Sequence, residues 1–536
     1  MLARALERSA KWALAAWRGL SLDATVVATV GIGNWLLLFA NHTTVAATRD
    51  VPLWRLFPPG ADVAFLVACG TIAFAYALRD HRAGAAFSPR ARALHLAAIV
   101  ATFVVVPTIA SIVLRETGKP YTYVHDGALM VEEAARKLLN GVNPYAADYL
   151  DTPLFFWPMI NNPALYHLTY FPFMFLVSTP FVWLFDHLGI FWDQRYLYLP
   201  AYLAACALVP FLVQGAARRL ALTAAVALNP QLFPFVVEGR NDFFVLLLLF
   251  GGVALLLRER RTASSLAFAA AGAAKLHALL ALPFVATYLI ATRRPRTGRE
   301  LFAALTPTWP AAVFLLVAFV PFLVNDFAAF YDDVVRYNAG GAAWTYPISG
   351  MGFSALLLAL GVIPYRQADF PFAAIELAVA VPVAAWWLVR LWRRPTIATL
   401  LSGYALTLLA FLFFGRYFQG NYLGFIAAVF TPVPFLAVAA QARRGRRSPR
   451  ARGALRRTPS SVSAVVPPNP AAPRQPAPSF AAPREPLRSP LAPARMPPSP
   501  ALPREPTPSL AASALSSAPL ETALGEASPM GAASAD

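Results

Sequence analysis

The first feature able to do chemistry is an aspartate set just ahead of an amphipathic run. In Tyr121–Tyr149 (YTYVHDGALMVEEAARKLLNGVNPYAADY), Asp126 precedes Val131, Ala134, Ala135, Leu138 and Leu139, which share one helical stripe. Glu132, Glu133, Arg136, Lys137 and Asn140 share the other. Asn140-Gly141 suits a left-handed helix end, and Asn143-Pro144-Tyr145 then redirects the chain. A carboxylate held in a first helical turn can take a proton from a hydroxyl. It can equally be the N-cap of a helix floating on a membrane surface. Glu132 and Glu133 read as that helix's solvated face, with either in reserve as an alternative base.

Cations that would complement such a base recur further on. Arg240 lies in Glu238–Asp242, Lys275 and His277 lie between apolar stretches, and Arg416 lies in FGRYFQGNY (414–422). Preorganised positive charge stabilises a negative charge that develops in a reaction, and arginine presents phosphate with a planar donor fork. Ionisable residues within apolar spans are costly and usually face a cavity or a partner, which favours a function for Lys275. Each has a plainer alternative. Arg240 can pair with Glu238 or Asp242, His277 can be a packed ring, and Arg416 can anchor a span at the interface. The aromatic, mixed-charge stretch Asn325–Tyr346 can bind a sugar or merely cap a surface.

These residues need positioning, and the composition says by what. The chain is 58% hydrophobic and only 13% charged, about half the charge of a soluble domain. Uncharged runs such as Phe243–Leu257 and Ala311–Val324 show no two-residue alternation. They therefore read as membrane helices rather than barrel strands. The net charge of +18 sits in arginine clusters between apolar runs and in the tail. That placement fits membrane topology and anionic lipid, not nucleic acid. Cys69 and Cys206 lie inside apolar segments and read as packing residues.

The expected organisation follows from the arginines. Residues 1–20 form a basic amphipathic cytoplasmic N-terminus. Leu22–Asn41, Asp62–Leu78 and His95–Leu114 span, which puts loop 115–170 outside. Further apolar segments are 171–186, 196–215, 220–237, 243–257, 263–290, 303–324, 353–364, 371–391, 396–414 and 423–440. Arg218–Arg219, Arg258–Arg261, Arg293–Arg299, Arg390–Arg394 and Arg443–Arg457 can all be cytoplasmic under three conditions. Segment 171–186 must not cross fully, 263–290 must be a hairpin turning near Lys275, and 353–364 must stay on the outer surface. About 11–12 spans result, with both termini cytoplasmic. If instead 171–186 spans and 263–290 is one helix, Arg218–Arg219 and Arg258–Arg261 fall outside. Residues 441–536, rich in Pro, Ala and Arg, carry near-repeats such as APRQPAPSF and LPREPTPSL and read as a disordered cytoplasmic tail.

The stretch E-A-x-x-x-L-L-x-G-x-N-P-Y (133–145) behind Asp126 resembles the GT-C glycosyltransferases, in particular bacterial mannosyltransferases that use polyprenyl-phosphate sugars. NPQLFPFVVEGRND (229–242) followed by FAAAGAAKLH (268–277) is similar to that family's Gly-Arg/Gln-x-Asp element and later lysine, and FGRYFQGNY is a third likeness. The likeness covers roughly residues 95–440, with outward loops 115–170 and 325–370; residues 21–94 would be two added helices. It implies an all-α polytopic membrane protein of the plasma (inner) membrane with its active site on the outer face. It further implies sugar transfer, with inversion, from a polyprenyl-phosphate donor to a lipid or glycan acceptor. Asp126 would be the general base. Arg240, Lys275, His277 and Arg416 would hold the donor phosphate. His125, Glu133, Asn143, Tyr145, Asn241, Asp242, Gln419 and Asn421 would line the substrate site. The loop lacks the usual Asp-x-Asp or Asp-Asp pair, so no metal and no cofactor is expected. A transporter or lipid flippase, or a scaffold with a proline-rich tail, is the competing expectation. The sequence names neither sugar nor acceptor.

Overall fold

Lys275 breaks an otherwise continuous apolar run, and the break organises the rest of the chain. A computed structural model describes residues 19–45, 61–159 and 162–436. Expectations for the N-terminal amphipathic stretch and the proline-rich tail lie outside the described residues. Most of what is described is helical, and the one pair of strands among the described residues is a two-residue parallel pair, β1 (Ser349–Gly350) with β2 (Tyr417–Phe418).

In chain order the main helices are α1 (Leu22–Ala40), α2 (Val63–Ala86), α3 (Pro89–Thr117), α4 (Asp126–Leu139), α5 (Pro172–Leu188) and α6 (Arg195–Leu212). Then come α7 (Ala216–Ala227), α8 (Phe233–Glu238), α9 (Asp242–Leu257), α10 (Arg261–Ala274), α11 (Leu276–Arg293) and α12 (Gly298–Asn325). The last are α13 (Phe353–Ala359), α14 (Phe372–Arg393), α15 (Ile397–Phe413) and α16 (Gly420–Leu436). Seven of these are long and apolar enough to cross a bilayer: α1, α2, α3, α6, α11, α12 and α14. Helices α5, α9, α15 and α16 are apolar but shorter. The chain is thus a membrane-embedded, all-α protein.

The broken segments have local causes. Lys275 is extended (φ −154°, ψ 134°) between α10 and α11. The far end of α11 returns toward the start of α10, since Tyr288 feels the charges of Glu259 and Arg261. The two arms form the hairpin that the arginine placement requires. The segment 220–237 is not one helix but two, α7 and α8, because Asn229-Pro230 interrupts it. That interruption is plugged: Asn34 Nδ2 donates to Leu228 O at 2.5 Å, and Asn229 Nδ2 to Gly424 O at 2.9 Å. Helix α13 has 7 residues, about 10 Å of helix, far short of a span. It packs with Ile348, Ile363, Ala368 and Phe372 in a small core of its own.

The first two helices are clamped to the third rather than appended. Arg92 on α3 pairs with Asp23 at 2.8 Å and with Asp80, while Tyr76 donates to Asp23 at 2.7 Å. Cys69 and Cys206 are buried and unpaired, as packing residues would be.

Candidate active site

Helix α4 is not the floating amphipath that its pattern predicts. Val131, Ala134 and Ala135 of its apolar stripe are buried, but so are two residues of its polar one: Glu132 is 1% exposed and Glu133 8%. Gly141, at φ +75°, closes the helix as Asn140-Gly141 predicts, with Val142 N donating to Lys137 O. The two glutamates are therefore corrected from solvated to buried. Glu132 takes both terminal nitrogens of Arg115, at 2.9 and 2.7 Å. Arg115 also reaches Asp193 at 2.8 Å, and Asp193 grips Arg195 at 2.7 Å. Two cations and two carboxylates form a neutral quartet with every member at most 2% exposed. Glu133 pairs with Arg136 at 2.7 Å.

The quartet holds the chain on either side of the site. Arg195 Nη1 donates to Tyr123 O at 2.7 Å and Val237 O at 2.9 Å. His125 N donates to Glu238 O at 2.7 Å. The segment that ends in Asp126 and the turn that ends in Arg240 are thereby laced together. Gly239 needs its positive φ (+88°) at that turn, and a Cβ there would press Arg195 Cγ at 3.2 Å and Ala128 at 3.3 Å.

His125, not Asp126, is the N-cap of α4; Asp126 is the first helical residue. Asp126 Oδ1 accepts from Gly127 N at 2.7 Å and lies 2.7 Å from His125 Nδ1, which itself accepts from Gly127 N at 3.0 Å. Its other oxygen has no partner among the described residues. Burial opposes charge on Asp126, yet His125, Arg240 and the Gly127 N–H outweigh it and hold the carboxyl below its ordinary 3.8. Gly127 admits Tyr170, whose hydroxyl lies 2.1 Å from where a Cβ would stand.

Asp126 lines a cavity of about 370 Å³, within the range of small-molecule sites. His125, Arg240, Asn241, Asp242, Lys275, His277, Arg416, Gln419 and Asn421 line the same cavity. Residues 114 positions and more beyond Asp126 in sequence thus meet it in one wall. Lys275 Nζ donates to Asp242 at 2.7 Å and Asn241 at 2.9 Å. Asn421 Nδ2 donates to the other Asp242 oxygen at 3.0 Å. Arg240 donates to Glu238 at 3.1 Å, Gln419 at 2.9 Å and Asn421 at 3.3 Å. Its Nη2 has no partner among the described residues. His277 Nε2 and Asn241 Nδ2 are buried without partners. The basic end of the cavity thus keeps several donors unspent, which is what an anion needs.

Three expected site residues stand elsewhere. Glu133 is committed to Arg136, and Asn143 Nδ2 donates to Asn325 at 2.8 Å away from the cavity. Tyr145 is buried among Phe175, Phe322 and Phe330, its hydroxyl donating to Tyr170 O at 2.8 Å. None of them lines the cavity. Arg416 does, but its guanidinium donates to the carbonyls of Tyr346 at 2.7 Å, Ala368 at 3.1 Å and Arg366 at 3.4 Å. It ties segment 346–368 to α15 while adding a positive charge to the wall.

The sequence reading missed the tyrosines and one acid. Tyr170, Tyr337, Tyr346, Tyr417, Tyr422 and Glu376 all line the cavity. The β1–β2 pair brings the Tyr346 and Tyr417 rings within 4.9 Å. Asn325–Tyr346 and FGRYFQGNY flagged several of them, whereas Glu376 was hidden in an apolar run. One further polar cluster, His167 with Asp332 and Asp333, has the spacing of metal ligands. Its oxygens are largely spent: Asp333 takes His167 Nδ1 and Leu168 N, both at 2.8 Å, and Asp332 takes Arg336 at 2.6 Å. It acts as a clasp between the two loops that supply Tyr170 and Tyr337. No family model matches the chain, and no curated protein is similar enough to it to count as a relative.

Proposed function

We propose that the protein is a membrane glycosyltransferase that moves a sugar from a polyprenyl-phosphate donor to a lipid or glycan hydroxyl on the outer face. The observation that carries the reading is one cavity in which a half-free carboxylate, Asp126, faces the cations Arg240 and Lys275. The acceptor oxygen attacks the anomeric carbon and forms the new C–O bond with inversion. The bond from that carbon to the phosphate oxygen breaks, and its electron pair leaves on polyprenyl phosphate. The acceptor proton passes to the free oxygen of Asp126. Arg240, Lys275 and the unpartnered donors of His277 and Asn241 stabilise the leaving phosphate. Leu276, Ala373, Leu377, Phe411 and Leu412 give the cavity an apolar side between α11, α14 and α15, which suits the donor's lipid tail. The sequence likeness to GT-C glycosyltransferases supports the same reading, and the step as written calls on no metal or cofactor.

A second reading has its own support. Carriers place paired charges at the break of a discontinuous helix, and Lys275–Asp242 at the α10–α11 break has that form. The test is transfer by the purified protein from polyprenyl-phospho-mannose to an envelope lipid extract. Asp126→Asn should lower kcat by about 100-fold or more. Undiminished transfer in that variant removes Asp126 as the base, and labelled donor crossing vesicles unchanged favours the carrier.

A further inference from the structure

Glu376 is the one cavity carboxylate for which the mechanism above has no use. It sits in the second turn of α14, half-buried, with no hydrogen bond or ion pair to any described residue. A desolvated carboxylate without a partner is costly, and such groups persist where a ligand completes them. The cavity-lining cation beside Gly415, Arg416, is committed to three backbone carbonyls. Yet Glu376 is not remote from the chemistry. Tyr417 feels its charge, the Tyr346 ring is 4.9 Å from that of Tyr417, and Tyr346 feels the charges of Asp126 and Arg240.

Resting on the transferase reading, we infer that Glu376 recognises the substrate's sugar, its carboxylate accepting hydrogen bonds from ring hydroxyls while the pyranose lies along Tyr417 and Tyr346. Its two carboxyl oxygens can engage two vicinal hydroxyls at once. The neighbouring polar groups are neutral: the Tyr417 hydroxyl donates to Asn338, and Gln419 Nε2 donates to the Tyr346 hydroxyl at 2.9 Å. Neutral amides, phenols and one carboxylate over aromatic faces match a polyol better than a second phosphate, which Glu376 would repel. The basic end, around Lys275, then takes the phosphate, and the acidic end sets which sugar is accepted.

The test crosses enzyme and substrate changes. Wild type and Glu376→Gln are assayed for transfer from polyprenyl-phospho-mannose, polyprenyl-phospho-glucose and their single-deoxy analogues. Glu376→Gln should raise KM for the preferred donor by roughly 10-fold or more, since hydrogen bonds to charged groups are the strong ones, and change kcat less. At least one deoxy analogue that is poor for wild type should suffer no further loss in Glu376→Gln. Gly415→Ala is the second variant, because its Cβ would stand 3.2 Å from Glu376 Oε1 and displace the carboxylate while keeping its charge. It should move KM in the same direction by less. Unchanged KM in both variants, or deoxy penalties that carry over in full, overturns the assignment and leaves the transferase reading standing. If wild type transfers neither sugar, the transferase reading fails and this inference falls with it.

Discussion

Glu132→Gln perturbs the buried quartet at its simplest point. The amide keeps the shape of the side chain and can still accept from Gln194 N, now 2.7 Å from Glu132 Oε1. It cannot accept from both nitrogens of Arg115, and an N–H₂ group would face the Nη2 donor that now lies 2.7 Å from Glu132 Oε2. The quartet passes from two charges of each sign to two cations and one anion, at sites no more than 2% exposed. Removing one partner of a buried pair costs about 3–5 kcal/mol, because the remaining charge is left uncompensated. Against a total stability on the order of 5–15 kcal/mol, that is a large share. Unfolding in detergent, followed by denaturant titration, should show this loss. Changing Arg115 and Glu132 together to methionine leaves Asp193 paired with Arg195 and should recover part of it, since no net charge stays buried. A Glu132→Gln protein within about 0.5 kcal/mol of wild type would refute the quartet as drawn. So would a double variant much less stable than the single.

Other outcomes follow from the site. Gly127→Ala should lower activity by 10-fold or more (roughly one hydrogen bond's worth), because the new methyl takes the place of the Tyr170 hydroxyl; normal activity with a normal fold by circular dichroism would contradict it. Asp126 is held below 3.8, so it is already in its base form throughout the neutral range. Activity should lose nothing to its protonation until the pH falls below that value, and a rate tracking an Asp126 pKa near 7 would be the contrary result. Burial pushes the Asp333 carboxyl up to about 6, against the pull of His167 and the Leu168 N–H. A raised carboxyl contributes stability that is fully present below the ordinary 3.8 and is lost as pH rises through about 6. The thermal midpoint should therefore fall across that interval in wild type and stay flatter in Asp333→Asn; equal slopes would contradict it.

Much of the scaffold was legible because it answers to simple rules. Arginine placement demanded a turn at Lys275, and that residue is extended between two antiparallel arms. Ten of the residues singled out as site candidates line one cavity, since costly ionisable groups in apolar surroundings tend to share one. What failed was the surface pattern of α4. Glu132 and Glu133 look solvated from helical periodicity alone, which cannot see Arg115 or Gln194. Asp193 and Arg195 sit outside any motif, and only the packing of α3, α4 and α6 gives them a role. Glu376 had a readable signal, a lone acid in PFAAIELAVAV, but membership of an apparent span concealed it.

The central claim is that a sugar leaves polyprenyl phosphate for an acceptor hydroxyl. Purified protein should be given polyprenyl-phosphate carrying radiolabelled mannose, with an envelope lipid extract as acceptor, and the products separated by class. The account predicts label in a new glycolipid or glycan of inverted anomeric configuration, with one polyprenyl phosphate released per sugar moved. Label that remains on intact donor, whether or not that donor crosses a vesicle membrane, would contradict it.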